Sequence, residues 1–200
     1  MYLSQKHCER ILSELDSLRY KNIREIKDIA YTKGEVNGLE AIAMDDPRML
    51  PYTPGDSWGE DDENYLFRAA FDVPEELSGE SLLLLVETTE YGETDLRNMG
   101  TKTYWNMSRN PQFLLSVNGE PFQGLDKHHT YAVITTDAAA GERYEFTLDG
   151  YPGSRLRINR EGRVQLFLKI AVLDREVDKL YFNLKVPLNI SDRLDRKSVV

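Results

Sequence analysis

Three polar side chains near the middle of the sequence belong to types that carry acid–base or metal chemistry. Asp126, His128 and His129 end the stretch FLLSVNGEPFQGLDKHH, residues 113–129. A carboxylate beside an imidazole can orient a general base, and imidazoles bind metals. Adjacent residues of an extended segment point to opposite faces, so the two histidines would not easily serve one metal or one proton transfer.

No Ser or Cys near these residues suggests a nucleophile held by a base. We therefore favour a structural corner, in which Asp126 accepts hydrogen bonds from backbone N–H groups of its own turn. Contact with a ligand or with another domain is the alternative interpretation of this corner.

Aromatic side chains are candidates for a second kind of chemistry, stacking on a sugar ring. Trp58, Tyr104 and Trp105 all lie in segments with the composition of loops. We expect Trp58 to plug the edge of the core. Tyr104 and Trp105 lie in a long excursion between strands, where exposed aromatic residues commonly anchor ligands. The candidates for sugar or domain contact are therefore Trp58, Tyr104, Trp105, Asp126, His128 and His129.

Residues suited to metal binding or to hydrolysis do not cluster in the sequence. Three histidines and the single Cys8 are few and scattered, whereas a catalytic zinc site keeps three or more protein ligands. Glycoside hydrolysis needs two carboxylates flanking the bond, and the pattern singles out no such pair among 34 acidic residues. We predict no catalytic residue, no metal ligand and no cofactor within this chain.

Composition narrows the function classes further. The net charge of −9 over 200 residues disfavours nucleic acid as a partner, because phosphate would be repelled. A single cysteine rules out an internal disulfide framework and suits a reducing compartment. The sequence contains no apolar run of membrane-spanning length, and its first residues lack the apolar core of a signal peptide. We expect a cytoplasmic protein without a membrane partner.

The elements that must position the candidate residues are mostly strands. From Asn64 onward apolar residues alternate with a period of two, and turn signals divide the runs. Leu82–Val86 is apolar on both faces, as in a central strand, and Asn118-Gly119 predicts a tight hairpin followed by a second turn at 124–126. The pattern predicts an antiparallel β-sandwich over residues 64–172.

Helices are predicted at both ends of this sandwich. Residues 1–33 are predicted to be a helical segment, with Ser4 as N-cap, an apolar stripe from Cys8 to Leu18 and a further short helical turn carrying Ile23, Ile26 and Ile29. Residues 34–63 are predicted to be a linker. Residues 173–200 contain a linking helix capped by Asp174, which Pro187 should kink or end.

Three stretches resemble one family: WGEDDENYLFRAAFDVPEEL (58–77), VNGEPFQGLDKHH (117–129) and LDREVDKLYFNLKV (173–186). They are similar to the N-terminal region of α-mannosidases of glycoside hydrolase family 38, in its cytosolic and bacterial branch. The resemblance implies a mainly β fold with flanking helices, whose sandwich is of the galactose-binding or jelly-roll kind. It also implies a zinc-dependent catalytic domain beyond this chain, which would hydrolyse terminal α-mannosides with retention.

The His-x-Asp element that opens the family's catalytic domain does not occur here. We therefore expect a non-catalytic region that packs on the catalytic domain of the same polypeptide and shapes substrate access. A different hypothesis is a free-standing carbohydrate-binding module for mannose-containing oligosaccharides. A third is a structural unit that forms homo-oligomers by pairing its helices.

Overall fold

Two helices and eleven strands make up the regular structure in the described part of the chain. The computed structural model describes residues 5–34, 45–59, 63–90, 110–153 and 164–197. The helices are α1 (Gln5–Leu18) and α2 (Arg175–Lys197). The strands are β1 (Tyr20–Glu25), β2 (Ile29–Lys33), β3 (Leu50–Tyr52), β4 (Ser57–Trp58), β5 (Tyr65–Asp72), β6 (Leu82–Glu90), β7 (Gln112–Val117), β8 (Glu120–Asp126), β9 (Tyr131–Thr135), β10 (Arg143–Tyr151) and β11 (Val164–Leu173).

The strands form two antiparallel sheets. The first has the order β1-β11-β6-β9, with β4 also paired to β11, and the second has the order β3-β2-β5-β10-β7-β8. In the first sheet the paired strands are distant in the sequence, whereas the second sheet contains two pairs of consecutive strands, β2–β3 and β7–β8. The predicted fold class is confirmed: the protein is mainly β, with two helices and a sandwich-like arrangement of the galactose-binding or jelly-roll kind.

Alternation along the strands fills the space between the sheets. Tyr144, Phe146 and Leu148 of β10 are buried, while Glu145 between them is exposed. In β6 residues 82–86 are buried on both faces, which confirms the predicted central strand. The even-numbered residues of this run join the main core, and Leu83 and Leu85 join a smaller cluster on the outer face of the first sheet.

The hairpin between β7 and β8 was also predicted correctly. Asn118 (φ 52°) and Gly119 (φ 84°) occupy the left-handed region that a two-residue turn of this kind requires. Val117 pairs with Glu120 directly across it. The second turn expected at residues 124–126 is wrong, because β8 continues to Asp126 and the chain turns only after it.

The prediction of helix throughout residues 1–33 is wrong beyond Leu18. β1 and β2 occupy most of residues 20–33, and they pair with β11 and β5. Ile26 and Ile29 are buried but Ile23 is 55% exposed, so the three isoleucines do not share one helical face. Asn22 has φ 49° beside a bulge in the β1–β11 ladder, which a helix would not accommodate.

The segment predicted to be a linker, residues 34–63, also contributes to the sheets. β3 pairs with β2, and β4 pairs with β11. The period-two pattern was too short in these strands to reveal them. The sandwich therefore begins before residue 64, and β1 to β4 belong to it.

The C-terminal helix begins as predicted but does not end at Pro187. Asp174 Oδ1 accepts a hydrogen bond of 3.1 Å from the Val177 amide, which confirms the N-cap. The helix continues through Pro187 to Lys197. Proline removes one backbone hydrogen bond, but α2 contains no glycine that would end the helix near it. Ser4, the predicted N-cap of α1, lies outside the described residues.

The two faces of β10 should respond very differently to truncation. Phe146 is fully buried, so Phe146→Ala should lower the free energy of unfolding by about 3–5 kcal/mol. Glu145→Ala on the exposed face should change it by less than about 0.5 kcal/mol. Urea unfolding of the two variants measures both values, and equal losses would contradict this assignment of the strand's faces.

Candidate ligand-binding groove

A groove lies between the outer face of the first sheet and helix α2. Its volume is about 840 Å³. The sheet supplies Tyr20, Leu85, Tyr131 and Val133, and the corner between β8 and β9 supplies a rim. The rim residues are Phe122, Gln123, Lys127, His128, His129 and Thr130, and the helix contributes Tyr181, Phe182 and Lys185. The groove thus brings the two predicted histidines together with aromatic residues from three distant segments.

Arg19 forms the floor of this groove and is 4% exposed. Its Nη1 donates to Asp16 Oδ1 at 2.8 Å, and its Nε donates to Asp178 Oδ1 at 2.8 Å. Its Nη2 lies 2.8 Å from the same Asp178 oxygen and donates to the Tyr131 hydroxyl at 3.0 Å. One side chain therefore joins the end of α1, strand β9 and helix α2.

Aromatic rings surround the same guanidinium. The Arg19 Cζ atom lies 4.5–5.3 Å from the ring centroids of Tyr20, Tyr131, Tyr181 and Phe182. Arginine is suited to this place because its planar group stacks on aromatic faces while its N–H groups bond carboxylates in the plane.

Burial and ion pairing act in opposite directions on the titration of Arg19. Burial lowers the pKa of the guanidinium, but the hydrogen bonds that Arg19 donates to Asp16 and Asp178 outweigh burial, and the pKa lies above its ordinary value. Burial raises the pKa of the Tyr20 and Tyr131 hydroxyls, although the nearby Arg19 charge opposes it. The Arg19 guanidinium therefore stays charged and the two phenols stay neutral at physiological pH.

Asp126 forms a structural corner at the rim, as the sequence favoured. Its Oδ1 accepts hydrogen bonds of 2.8 Å from the amides of His128 and His129. The His129 Nδ1 atom lies 3.1 Å from the same oxygen. Burial raises the pKa of Asp126, but these hydrogen bonds outweigh burial and hold the pKa below its usual value. The carboxylate fixes the turn, while both histidine side chains remain exposed.

Of the predicted aromatic candidates, Trp58 is described by the structure and does not line this groove. Trp58 is 2% exposed, and its ring centroid lies 5.2 Å from those of Tyr65 and Phe67. It is part of the core, as the favoured interpretation had it, and so does not present a face to a sugar. Tyr104 and Trp105 lie outside the described residues.

Arg19, Tyr131, Tyr181 and Lys185 were missed by the sequence reasoning. They lie in three separate segments, after α1, in β9 and in α2, and only the folded topology brings these segments together. A weak signal existed at residues 18–20, where the sequence Leu-Arg-Tyr places a basic residue at the end of an apolar helical stripe. Such an arrangement is common at helix C-termini and does not by itself indicate burial.

Neither a metal-binding cluster nor a membrane-crossing helix occurs among the described residues. No group of three His, Cys, Asp or Glu side chains in the described ranges is placed to hold a metal ion. None of the helices in the described part of the chain has the length and apolar character needed to cross a membrane.

Comparison with known proteins identifies relatives of the fold only. No protein-family model and no curated protein matches the sequence. Among solved structures, Bacteroides uniformis β-glucuronidase 2 is similar, with a TM-score of 0.50 and 12% identity over 76% of this chain and 18% of that one. A β-glucuronidase from Ruminococcus gnavus has a TM-score of 0.44 at 11% identity, and this chain covers 30% of it. A β-glucuronidase from an uncultured Clostridium species has a TM-score of 0.47 at 11% identity, and this chain covers 29% of it. The chain thus spans less than a third of the length of these enzymes.

The resemblance to family 38 α-mannosidases is wrong. The similar solved structures reported above are β-glucuronidases, and neither a family model nor a curated protein supports a mannosidase. In the described residues the quoted motifs contain the interior strand β5, a hairpin with its corner and a capped helix, which sandwiches of different enzymes can share. The expectation of a zinc-dependent catalytic domain rested on that resemblance alone.

Arg19 should be critical for stability. Arg19→Met keeps most of the side-chain volume but leaves Asp16, Asp178 and the Tyr131 hydroxyl without their donor. We expect a loss of about 2–4 kcal/mol, since a carboxylate deprived of its buried partner retains its desolvation cost. Urea unfolding measures this loss.

Arg48→Met is the matched control, because Arg48 also pairs with an aspartate but its side chain is 64% exposed. It should cost less than about 0.5 kcal/mol. Similar losses in the two variants would contradict the central role of Arg19.

The contribution of Asp126 should depend on pH. The pKa of Asp126 is lower in the folded state than in the unfolded state. The charged carboxylate therefore stabilises the fold at pH values above the unfolded-state pKa, and this stabilisation is lost as the pH falls through the folded-state pKa. Asp126→Asn should therefore be less stable than the parent by about 1 kcal/mol at pH 7, and the difference should shrink below about pH 4. Thermal unfolding across this pH range measures the difference, and Asp137→Asn at an exposed position is the control. A stability difference between Asp126→Asn and the parent that does not change with pH would refute the role of the charge.

Proposed function

We propose that the chain is a non-catalytic β-sandwich region of a glycoside hydrolase, and that it packs on the catalytic domain of the same polypeptide. The observation that carries this proposal is the apolar surface of α2. Phe182, Val186 and Ile190 recur at four-residue spacing and are 37%, 52% and 55% exposed. Leu180 and Leu184, on another flank of the helix, are 48% and 37% exposed.

This surface is larger than scattered exposed residues would explain. The stripe from Phe182 to Ile190 begins at the groove, which Phe182 lines, and follows the helix away from it. Contiguous apolar patches of this kind mark sites of interaction with other protein surfaces. α1 packs against α2, yet these side chains remain exposed.

The fold supports an enzyme context for this interaction. The B. uniformis structure with a TM-score of 0.50 is that of a β-glucuronidase, and the matched region is 18% of that chain. A sandwich of this kind within a larger glycoside hydrolase needs an apolar surface for its neighbouring domain. Pairing of helices in a homo-oligomer, the competing explanation, stays a prediction that sedimentation would test.

The groove favours carbohydrate binding as a second candidate function. It places exposed aromatic side chains beside donors and acceptors, the combination expected of small-ligand sites. Sugar binding at this groove is compatible with domain packing through α2, because Val186 and Ile190 do not line it.

The packing proposal is tested by placing charges on the stripe. Val186→Glu with Ile190→Glu should leave the isolated chain within about 0.5 kcal/mol of the parent, because both side chains are exposed. In the polypeptide encoded by the complete reading frame, the same pair should lower the melting temperature and the hydrolysis of chromogenic glycosides.

Asn183→Glu with Asn189→Glu adds the same charge at polar positions of the same helix and serves as control. The stripe would not be the interface if only the control pair destabilised the longer polypeptide. The same conclusion would follow if neither pair of substitutions destabilised it. A reading frame that encodes no catalytic domain would refute the enzyme context itself.

A further inference from the structure

The groove has a charge character opposite to that of the chain. The protein carries a net charge of −9. Of the acidic residues that line the groove, Asp16 is paired with Arg19, and Glu87 is paired with Lys169 at 2.6 Å. Lys127 and Lys185 line it as well, and neither forms an ion pair with a described residue. The charges left to interact with a ligand are therefore positive.

Hydrogen-bond donors dominate the groove in the same way. The Tyr131 hydroxyl accepts a hydrogen bond from Arg19, and the Tyr181 hydroxyl accepts one of 2.9 Å from Lys185 Nζ. Each phenol therefore retains its own hydrogen to donate. Gln123 donates through Nε2 to the Tyr131 carbonyl at 3.1 Å, which leaves its side-chain oxygen as an acceptor. A ligand that fits this set carries a carboxylate and hydroxyl groups.

Aromatic side chains define the remaining part of the ligand. Phe122 on the rim is 46% exposed and Phe182 on the helix is 37% exposed, although both are large apolar residues. Rings in such positions pack on the apolar C–H faces of a sugar ring. The volume of about 840 Å³ lies within the range of sites for small molecules and suits a short oligosaccharide.

We propose that the groove binds an acidic carbohydrate, a sugar whose carboxylate is held by Lys127 and Lys185 and whose ring packs on Phe122 and Phe182. This inference rests on the proposed carbohydrate context and adds the class of sugar and the residues that select it. The two lysines supply charge-assisted hydrogen bonds to the carboxylate. The Tyr131 and Tyr181 hydroxyls and the Gln123 amide oxygen bind the sugar hydroxyls.

Isothermal titration of the 200-residue chain with sodium glucuronate and with glucose tests the selection of charge, since the two sugars differ only at C6. Glucuronate should bind at least about tenfold more tightly than glucose, the equivalent of one charge-assisted hydrogen bond. Methyl α-mannoside, a second neutral sugar, should bind as weakly as glucose. Equal affinities for all three, or binding of none, would overturn the inference.

Lys127→Gln and Lys185→Gln should each weaken glucuronate binding by roughly five- to tenfold, and Phe122→Ala should weaken it with no change of charge. Lys179→Gln is the matched control, because Lys179 is an exposed lysine of α2 that does not line the groove. Unchanged melting temperatures confirm that the variants fold. If Lys179→Gln weakened glucuronate binding equally, the loss would come from the change in net charge. That result would overturn the assignment of Lys127 and Lys185.

An acidic protein segment is the competing occupant. A poly-glutamate peptide that displaces glucuronate at equal carboxylate concentration would overturn the carbohydrate class in favour of a peptide site. The proposed packing through α2 is tested separately, because its variants lie outside the groove. Failure of glucuronate binding with an intact effect of the α2 stripe would refute the groove assignment alone.

Discussion

The arrangement of helices on the sandwich depends on the burial of one cation. A guanidinium that is 4% exposed is stable only if its N–H groups are bonded and its charge is balanced. The partners of Arg19 are Asp16 in α1, three residues before it, and Asp178 and Tyr131, which lie 159 and 112 residues away. A displaced helix would leave the Arg19 charge unpaired. Arg19 and its three partners therefore restrict the position of α2 on the sheet more tightly than apolar packing alone would.

The same constraint creates the groove. α2 contacts the sheet through Tyr181 and Asp178 around Arg19, and its neighbouring residues Phe182 and Lys185 are thereby held at the edge of an open space. The opposite rim is fixed independently, because the Asp126 carboxylate ties the turn that carries Lys127 and the two histidines. Two rigid elements that face each other across a gap provide a preorganised site, which reduces the ordering cost of binding.

The strands were predictable wherever one face is buried and the other is exposed. β10 shows this alternation over its full length, and the Asn118-Gly119 turn fixed the neighbouring hairpin without reference to the rest of the chain. β1 and β2 were not predictable in this way, because Ile23, Ile26 and Ile29 recur every three residues, which matches a helical face and not the period of two of a strand. The groove was less predictable still: whether Arg19 is buried depends on Asp178 and Tyr131, and no local pattern connects these residues.

The acidic character of the chain affects how an anion would reach the groove more than how tightly it would be held. At physiological ionic strength, charges farther than about 8 Å from the ligand are largely screened, so most of the −9 net charge acts weakly on a bound carboxylate. Contacts within the groove are screened far less, and among the described residues that line it Lys127 and Lys185 carry charges without an ion pair. Asp16 and Glu87 do not cancel them, because each is already bonded to another cation. Local pairing, rather than overall charge, therefore decides the sign of the ligand that this surface favours.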